Sequence, residues 1–212
     1  MKRVFVLKAS TVITAPKFSM RNIAGSSGRL DVVCRCLLNA FRVDGQIRSD
    51  TIFYAVLEGP PNPSKLIKVE GDKLKSFPSS EIEVARIIRD LLAMDRGEHP
   101  LAKGFSVSKM DFRKLILKLK ADSTNELVYL HERGRDILDF KFNFKRNYVF
   151  ILGDHIGLDG ASERFLASLK IPRISLGPTI YLSSQCIVIV HEFLDNIFGF
   201  RNSNDNDSIF LS

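Results

Sequence analysis

The carboxy-terminal third of the chain carries the clearest alternation between apolar runs and polar breaks. Tyr148–Leu152 and Ile171–Leu176 are short apolar runs ended by Gly153 and Gly177, the pattern of strands buried on both faces. A ten-residue helical stretch, A-S-E-R-F-L-A-S-L-K, separates them, and an apolar helix beginning near Cys186 closes the segment. Upstream, Arg3–Leu7, Thr51–Leu57, Lys65–Val69 and Glu126–Leu130 read as further strands. Between them, Leu30, Val33, Leu37, Leu38 and Phe41 share one face of a helix predicted over about Arg29–Val43, with Gly45 as its terminator. Ser26 or Ser27 can cap it, and Asp31 in its first turn suits the positive end of the helix dipole.

A capping-box pattern at Ser80 and Glu83 opens a second helix, with Ile82, Ile87, Ile88, Leu91 and Leu92 inward and Gly97 stopping it. Ser108 and Asp111 open a third, with Phe112, Leu115, Ile116 and Leu119 inward. Thr11–Ala24 and Glu98–Val107 read as loops. The prolines of E-G-P-P-N-P-S make a stiff turn between two strands, and Asp136–Asn143 has no assigned element. Strands alternating with helices predict an α/β fold with a mainly parallel sheet. The expected organisation is one domain over residues 1–198 and a polar, Asn/Asp-rich tail over 199–212.

Charge sharpens this picture. The net charge is +7, unevenly placed. Residues 1–57 hold nine Lys/Arg against three Asp/Glu, whereas residues 147–212 hold four against seven. The third helix turns Lys109, Arg113, Lys114, Lys118 and Lys120 outward. A basic first half implies a phosphate-bearing partner there, with a solvated basic face as the alternative. No apolar run approaches the ~20 residues of a membrane helix, and the amino terminus lacks a signal-peptide core. Three cysteines fit a reducing, cytoplasmic setting. Cys34 and Cys36 point to different helix faces and the four histidines show no ligand spacing, so no metal is expected. The spacing Gly153-x-x-x-Gly157-x-x-Gly160 does not match a dinucleotide fingerprint.

Five blocks, in order, carry a resemblance. They are G-S-S-G-R-L-D-V-V-C-R-C-L (Gly25–Leu37), F-Y-A-V-L-E-G-P-P-N-P (Phe53–Pro63), Y-L-H (Tyr129–His131), G-D-H-I-G (Gly153–Gly157) and R-I-S-L (Arg173–Leu176). Together they resemble the archaeal tRNA pseudouridine-54 N1-methyltransferase family of the SPOUT superfamily, over roughly Met1–Phe198. The resemblance implies a trefoil knot at about residues 126–198, S-adenosyl-L-methionine as cofactor, tRNA as partner, and a homodimer through the knot region. It implies a cofactor site of Leu130, Gly153, Leu176, Gly177, Pro178, Thr179, Ile180, Tyr181 and Cys186, with Leu130, Leu176, Ile180 and Ile187 offering an apolar slot. Read without the family, the same glycines are turn residues.

N1 of pseudouridine begins protonated, so methylation needs a base or a stabiliser of the ring anion. Arg29 and Asp31 are the catalytic candidates, by a Gly-Arg-x-Asp block similar to that of the ribosomal-RNA pseudouridine N1-methyltransferases; surface solvation and helix capping are their alternative roles. Asp154 and His155 are rival bases by loop position. Cys186 reads as a buried thiol rather than a nucleophile. The closing helix is apolar on more than one face through Ile187, Val188, Ile189, Val190, Phe193, Leu194, Ile197 and Phe198, which calls for burial by its own sheet or by a second subunit. The rival functions are pseudouridine methylation on ribosomal RNA, and a non-catalytic RNA-binding or ribosome-assembly protein.

Overall fold

The first strand, β1 (Arg3–Ala9), is buried at every position and sits inside the sheet. In the computed structural model, which describes residues 1–94 and 96–198, it is followed by α1 (Ile23–Ser26), α2 (Leu30–Phe41), the small hairpin β2 (Arg42–Val43) and β3 (Gln46–Ile47), β4 (Thr51–Leu57) and β5 (Lys65–Glu70). Then come α3 (Glu81–Met94), β6 (Gly97–Glu98), β7 (Phe105–Lys109), α4 (Phe112–Ala121) and β8 (Asn125–Asp136). The chain continues through β9 (Asn147–Gly153), α5 (Gly160–Ser168) and β10 (Arg173–Ser175) to α6 (Ser183–Phe198). The predicted tail over 199–212 lies outside the described residues.

Eight strands form one sheet in the order β10-β8-β9-β1-β4-β5-β7-β6. The four pairings from β10 to β4 are parallel, and the three from β4 to β6 are antiparallel. The α/β class with a mainly parallel sheet therefore holds, with an antiparallel extension at one end. Alternation along β1 divides the core. Phe5, Leu7 and Ala9 face α2, α3 and α6, while Val4 and Val6 face α4 and α5. On the first side Phe5 lies in register with Phe53 and Phe150, and its ring stacks 5.5 Å from that of Phe150.

Several expectations are corrected. The stretch 98–107 is not a loop. Phe105 and Val107 alternate inward in β7, a strand too short to stand out beside the Gly104 turn. Strand β8 runs on past Leu130 to Asp136, and residues 137–139 form a single 3₁₀ turn. Ser108 lies in β7; the cap of α4 is Asp111, whose side chain accepts from the Lys114 amide at 2.9 Å. Lys109 ends β7 rather than standing on α4. Ile82 is exposed, and Val84 and Ala85 take the inward face of α3 instead. Gly45 turns the β2–β3 hairpin, four residues after α2 has ended. The serine expected to cap the amides opening α2 is Ser27, whose hydroxyl accepts from the Leu30 amide at 3.0 Å, while the N-cap position itself is Arg29.

The closing helix is fixed by polar as well as apolar contacts. Asn39 donates to the Ser184 carbonyl at 3.0 Å, tying α2 to the start of α6. Further along, buried Arg3 meets Asp195 at 2.6 Å, and Arg48 holds both Asp195 oxygens at 3.1 and 2.6 Å. His191 lies between them, one ring nitrogen 3.2 Å from Arg3 and the other 3.1 Å from the Ala40 carbonyl. Among the described residues no helix is long and apolar enough to cross a membrane.

Candidate active site

The bulge of β8 and the loops that leave β9 and β10 at their carboxyl ends, together with the start of α2, enclose a cavity of about 480 Å³. That is within the range of small-molecule sites, roughly 300–1,000 Å³, and its position is where open α/β sheets hold ligands. Leu130, Leu152 and Leu176 give it an apolar wall, while Arg29 and Arg35 reach it from α2.

Each wall has a local cause. In β8 the pairing with β10 jumps from Tyr129↔Arg173 to Arg135↔Ile174, so residues 130–134 bulge out of the ladder. That bulge carries Leu130, His131 and Glu132 to the cavity. After β9 the chain folds back on itself. A Cβ on Gly153 would stand 2.2 Å from the Gly157 carbonyl carbon, so only glycine permits this turn. The Ser183 hydroxyl donates to the Gly153 carbonyl at 2.7 Å and joins the β9 exit to the start of α6. Gly28 has φ 66°, and a Cβ there would lie 1.9 Å from the Thr11 carbonyl oxygen. The approach of the Thr11 strand exit to the glycine turn sets where α2 begins.

Arg29 has left-handed backbone, φ 72°, and its side chain turns back on Asp31. Nε donates to Oδ1 and Nη2 to Oδ2, both at 3.0 Å. Arg35, one turn on, donates to the same Oδ2 at 2.7 Å and reaches Glu81 at 3.4 Å. Burial pushes the Asp31 carboxyl up, but the hydrogen bonds from Arg29 and Arg35 outweigh it and hold the group below the usual carboxylate range. Asp31 is thus a clamped anion.

Asp154 is buried with both oxygens engaged by backbone: Oδ2 accepts from the Ser10 amide at 2.7 Å and Oδ1 from the Ile156 amide at 3.0 Å. It braces the β9 exit against the β1 exit, and both it and His155 line the cavity. Opposite, the Tyr129 hydroxyl donates to Glu163 at 2.9 Å. His131 lies 3.4 Å from the same Glu163 oxygen, and Arg173 lies 3.4 Å from the other. Burial, then Glu163, raises the Tyr129 phenol. Burial pushes the Cys186 thiol up to about 11, so it is neutral at pH 7.

Of the residues expected from sequence, Leu130, Gly153, Leu176, Thr179, Ile180, Tyr181 and Cys186 all line this one cavity with Arg29. Gly177 and Pro178 are in the same loop but outside the lining, as is Asp31 behind Arg29. Ile187 is fully buried in the core and offers no slot. Sequence reasoning missed Arg35, Glu163 and Ser183. Arg35 was legible as the i+4 partner of Asp31; the other two depend on how the chain returns across the sheet.

A parallel-sheet α/β protein with a glycine-turned cavity at the carboxyl strand ends, entered by a clamped arginine, has the architecture of a cofactor-dependent group-transfer enzyme. Comparison with known proteins makes that specific. Residues 2–198 match the family described as "Putative SAM-dependent RNA methyltransferase". The chain belongs to this family, that of the archaeal tRNA (pseudouridine(54)-N(1))-methyltransferases. It is 38% identical to the enzyme of that name from Methanococcus maripaludis over 195 residues, covering 91% of this chain and 98% of the relative. It is also 38% identical to that from Methanocaldococcus jannaschii, covering 91% and 96%. Among solved structures, Archaeoglobus fulgidus Nep1 bound to S-adenosylhomocysteine superposes with a TM-score of 0.62 at 15% identity, over 93% of this chain and 99% of that one. That likeness concerns the fold.

Proposed function

We propose that this protein transfers a methyl group from S-adenosyl-L-methionine to N1 of pseudouridine at position 54 of tRNA. The observation that carries the reading is that Arg29 and the cofactor candidates of three separate loops line one cavity, in a chain that matches the named relatives nearly end to end. The residues fit the cofactor. Leu130, Leu152 and Leu176 suit an adenine, and the Gly153 turn brings backbone to the cavity wall where a polar part of the cofactor can meet it. When bound, the cofactor supplies an activated methyl on a sulfonium.

The chain supplies placement and charge. Arg29, held by Asp31, presents a guanidinium to the base and stabilises the ring anion formed when N1 gives its proton to His155, the imidazole that lines the cavity beside the Gly153 turn. The leucine wall keeps water from the transfer. Asp31 orients Arg29, and the hydrogen bonds that hold its carboxyl below the usual range make it a weak base.

The same reading takes the β8–α6 segment as a trefoil knot in a cytoplasmic homodimer. Exposed apolar side chains at Ile180, Leu182, Val188 and Ile197, along the last loop and α6, support burial against a second copy. The deciding experiment incubates the enzyme with labelled cofactor and two tRNA transcripts, with and without pseudouridine at 54. Mass spectrometry is expected to find the methyl on pseudouridine alone. Label on the unmodified transcript, or on pseudouridine in ribosomal RNA in preference to tRNA, overturns the assignment.

A further inference from the structure

A second cavity, of about 500 Å³, lies between the Lys75–Pro78 segment, the first turns of α3 and the connection from His99 to Phe105. Its walls are apolar and partly aromatic. Phe77 stacks on Phe105 with ring centroids 5.7 Å apart and planes 20° apart, and Ile87 and Leu101 complete the wall. Leu101 is 90% exposed, a leucine held out at the rim. The rim itself is cationic, with exposed Lys75, Arg86 and Lys103. Glu83 is also at the rim, but its carboxylate accepts from the Ser79 amide at 2.6 Å and the Ser79 hydroxyl at 3.0 Å. Buried His99 shapes the wall: its Nδ1 accepts from the Leu101 and Ala102 amides at 3.2 and 2.9 Å.

This cavity adjoins the first through one ion pair. Arg35 lines the first cavity and meets Glu81, the opening residue of α3, whose next turn lines the second. Just past the end of α2, Arg42 donates to the Pro78 carbonyl at 3.3 Å. Arg35 and Arg42 thus tie α2 and its exit to the two segments that border the second cavity.

We propose that the second cavity is a nucleotide subsite for the RNA substrate: it takes one unstacked base against Phe77 and Leu101 and its phosphate on Lys75, Arg86 and Lys103. An apolar slot ringed by cations suits a base with its phosphate, because apolar contact with Phe77, Ile87 and Leu101 holds the ring and the cations replace counterions. The inference rests on the reading of this chain as an RNA methyltransferase.

The test uses the whole enzyme and a whole tRNA transcript bearing pseudouridine. Arg86→Glu with Lys103→Glu, and separately Leu101→Ala, change exposed side chains away from the first cavity. Both are expected to weaken tRNA binding, the charge reversal by about tenfold or more, while calorimetric affinity for S-adenosyl-L-methionine stays at the wild-type value. Ultraviolet crosslinking of wild-type enzyme to tRNA, mapped by mass spectrometry, is expected to mark the peptides spanning residues 75–78 and 99–103. Unchanged tRNA affinity with no crosslink in those peptides, as a protein-docking pocket would give, overturns the proposal. If wild-type enzyme binds tRNA but leaves pseudouridine unmethylated, the reaction assignment fails while the crosslink and affinities still decide the subsite. If it binds no RNA, both fail.

Discussion

Arg29 and Asp31 face each other through two parallel hydrogen bonds, Nε to Oδ1 and Nη2 to Oδ2, each 3.0 Å. The left-handed backbone at Arg29 makes this contact available to residues only two apart, and Arg35 locks the carboxylate from its other side. In the proposed reaction the pair is an aimed cation. Replacing Arg29 by Ala is expected to lower kcat by about 10²-fold, the effect of losing one preorganised donor at developing charge. Asp31→Asn removes the clamp and keeps the guanidinium, so a smaller loss is expected, with calorimetric cofactor affinity unchanged. Because the folded carboxyl titrates below its ordinary 3.8, Asp31 remains ionised from neutral pH down to about 4. A kcat–pH profile whose acid limb disappears in Asp31→Asn would contradict the positioning role.

Gly153 tests the cavity from the opposite wall. An alanine there would bring Cβ to 2.2 and 2.6 Å from backbone atoms of Gly157, and backbone cannot swing aside as a side chain can. The β9 exit must shift, taking with it the carbonyl that Ser183 holds. Gly153→Ala is expected to cost on the order of 10²-fold in kcat/KM, the usual consequence of misplacing a site by about 1 Å. Ser183→Ala leaves the turn intact and removes one hydrogen bond, about 1 kcal/mol. Calorimetry with S-adenosyl-L-methionine on both variants ranks the two effects; equal affinities would mean the turn does not contact the cofactor.

What could be read in the sequence was local. Runs such as Tyr148–Leu152 are buried on both faces and declare themselves as strands whatever surrounds them. The helices α2 and α4 show their inward faces by spacing alone. Phe105–Lys109 failed because a five-residue strand beside a glycine turn has too few alternations to separate it from a loop. Strand β8 seemed to end at Leu130 because its bulge interrupts the pattern, and that bulge forms part of the cavity. Placement of Arg29 against Gly153 lies beyond any periodicity: it follows from β1 pairing with both β4 and β9. Of the site, only the resemblance of ordered blocks joined residues more than a hundred positions apart.

The outward row on α4 gives a separable prediction. Arg113, Lys114, Lys118 and Lys120 are exposed, and the Arg113 guanidinium lies 5.1 Å from the Phe165 ring centroid. Helix α4 packs on the opposite side of the sheet from α2 and α3, so its cations stand away from Arg29 and would meet RNA phosphate rather than the target base. Lys114→Glu with Lys118→Glu is expected to reduce the slope of log K against log salt by about one for each phosphate no longer neutralised, leaving kcat at saturating tRNA unchanged. Filter binding across a salt series measures the slope, and an unaltered slope removes α4 from the RNA footprint.

The polar cluster at the other end of α6 sets how stability responds to acid. Asp195 is the carboxylate between Arg3 and Arg48, both of them nearly fully buried. Asp195→Ala leaves two buried guanidiniums without that partner and is expected to destabilise the fold by about 3–5 kcal/mol. His191 beside them is held neutral: burial lowers its pKa well below the ordinary 6.5, and Arg48 and Arg3 lower it further. The unfolded chain binds a proton at His191 below about pH 6.5 and the folded chain does not, so protonation favours unfolding. This contribution is complete above about pH 6.5 and is lost as pH falls below it, until the depressed folded pKa is reached. Urea midpoints measured from neutral pH down to about 5 are expected to decline in the wild type. In His191→Gln, which keeps an amide able to meet the Ala40 carbonyl, that decline should flatten. An identical decline in both proteins would assign the acid sensitivity elsewhere.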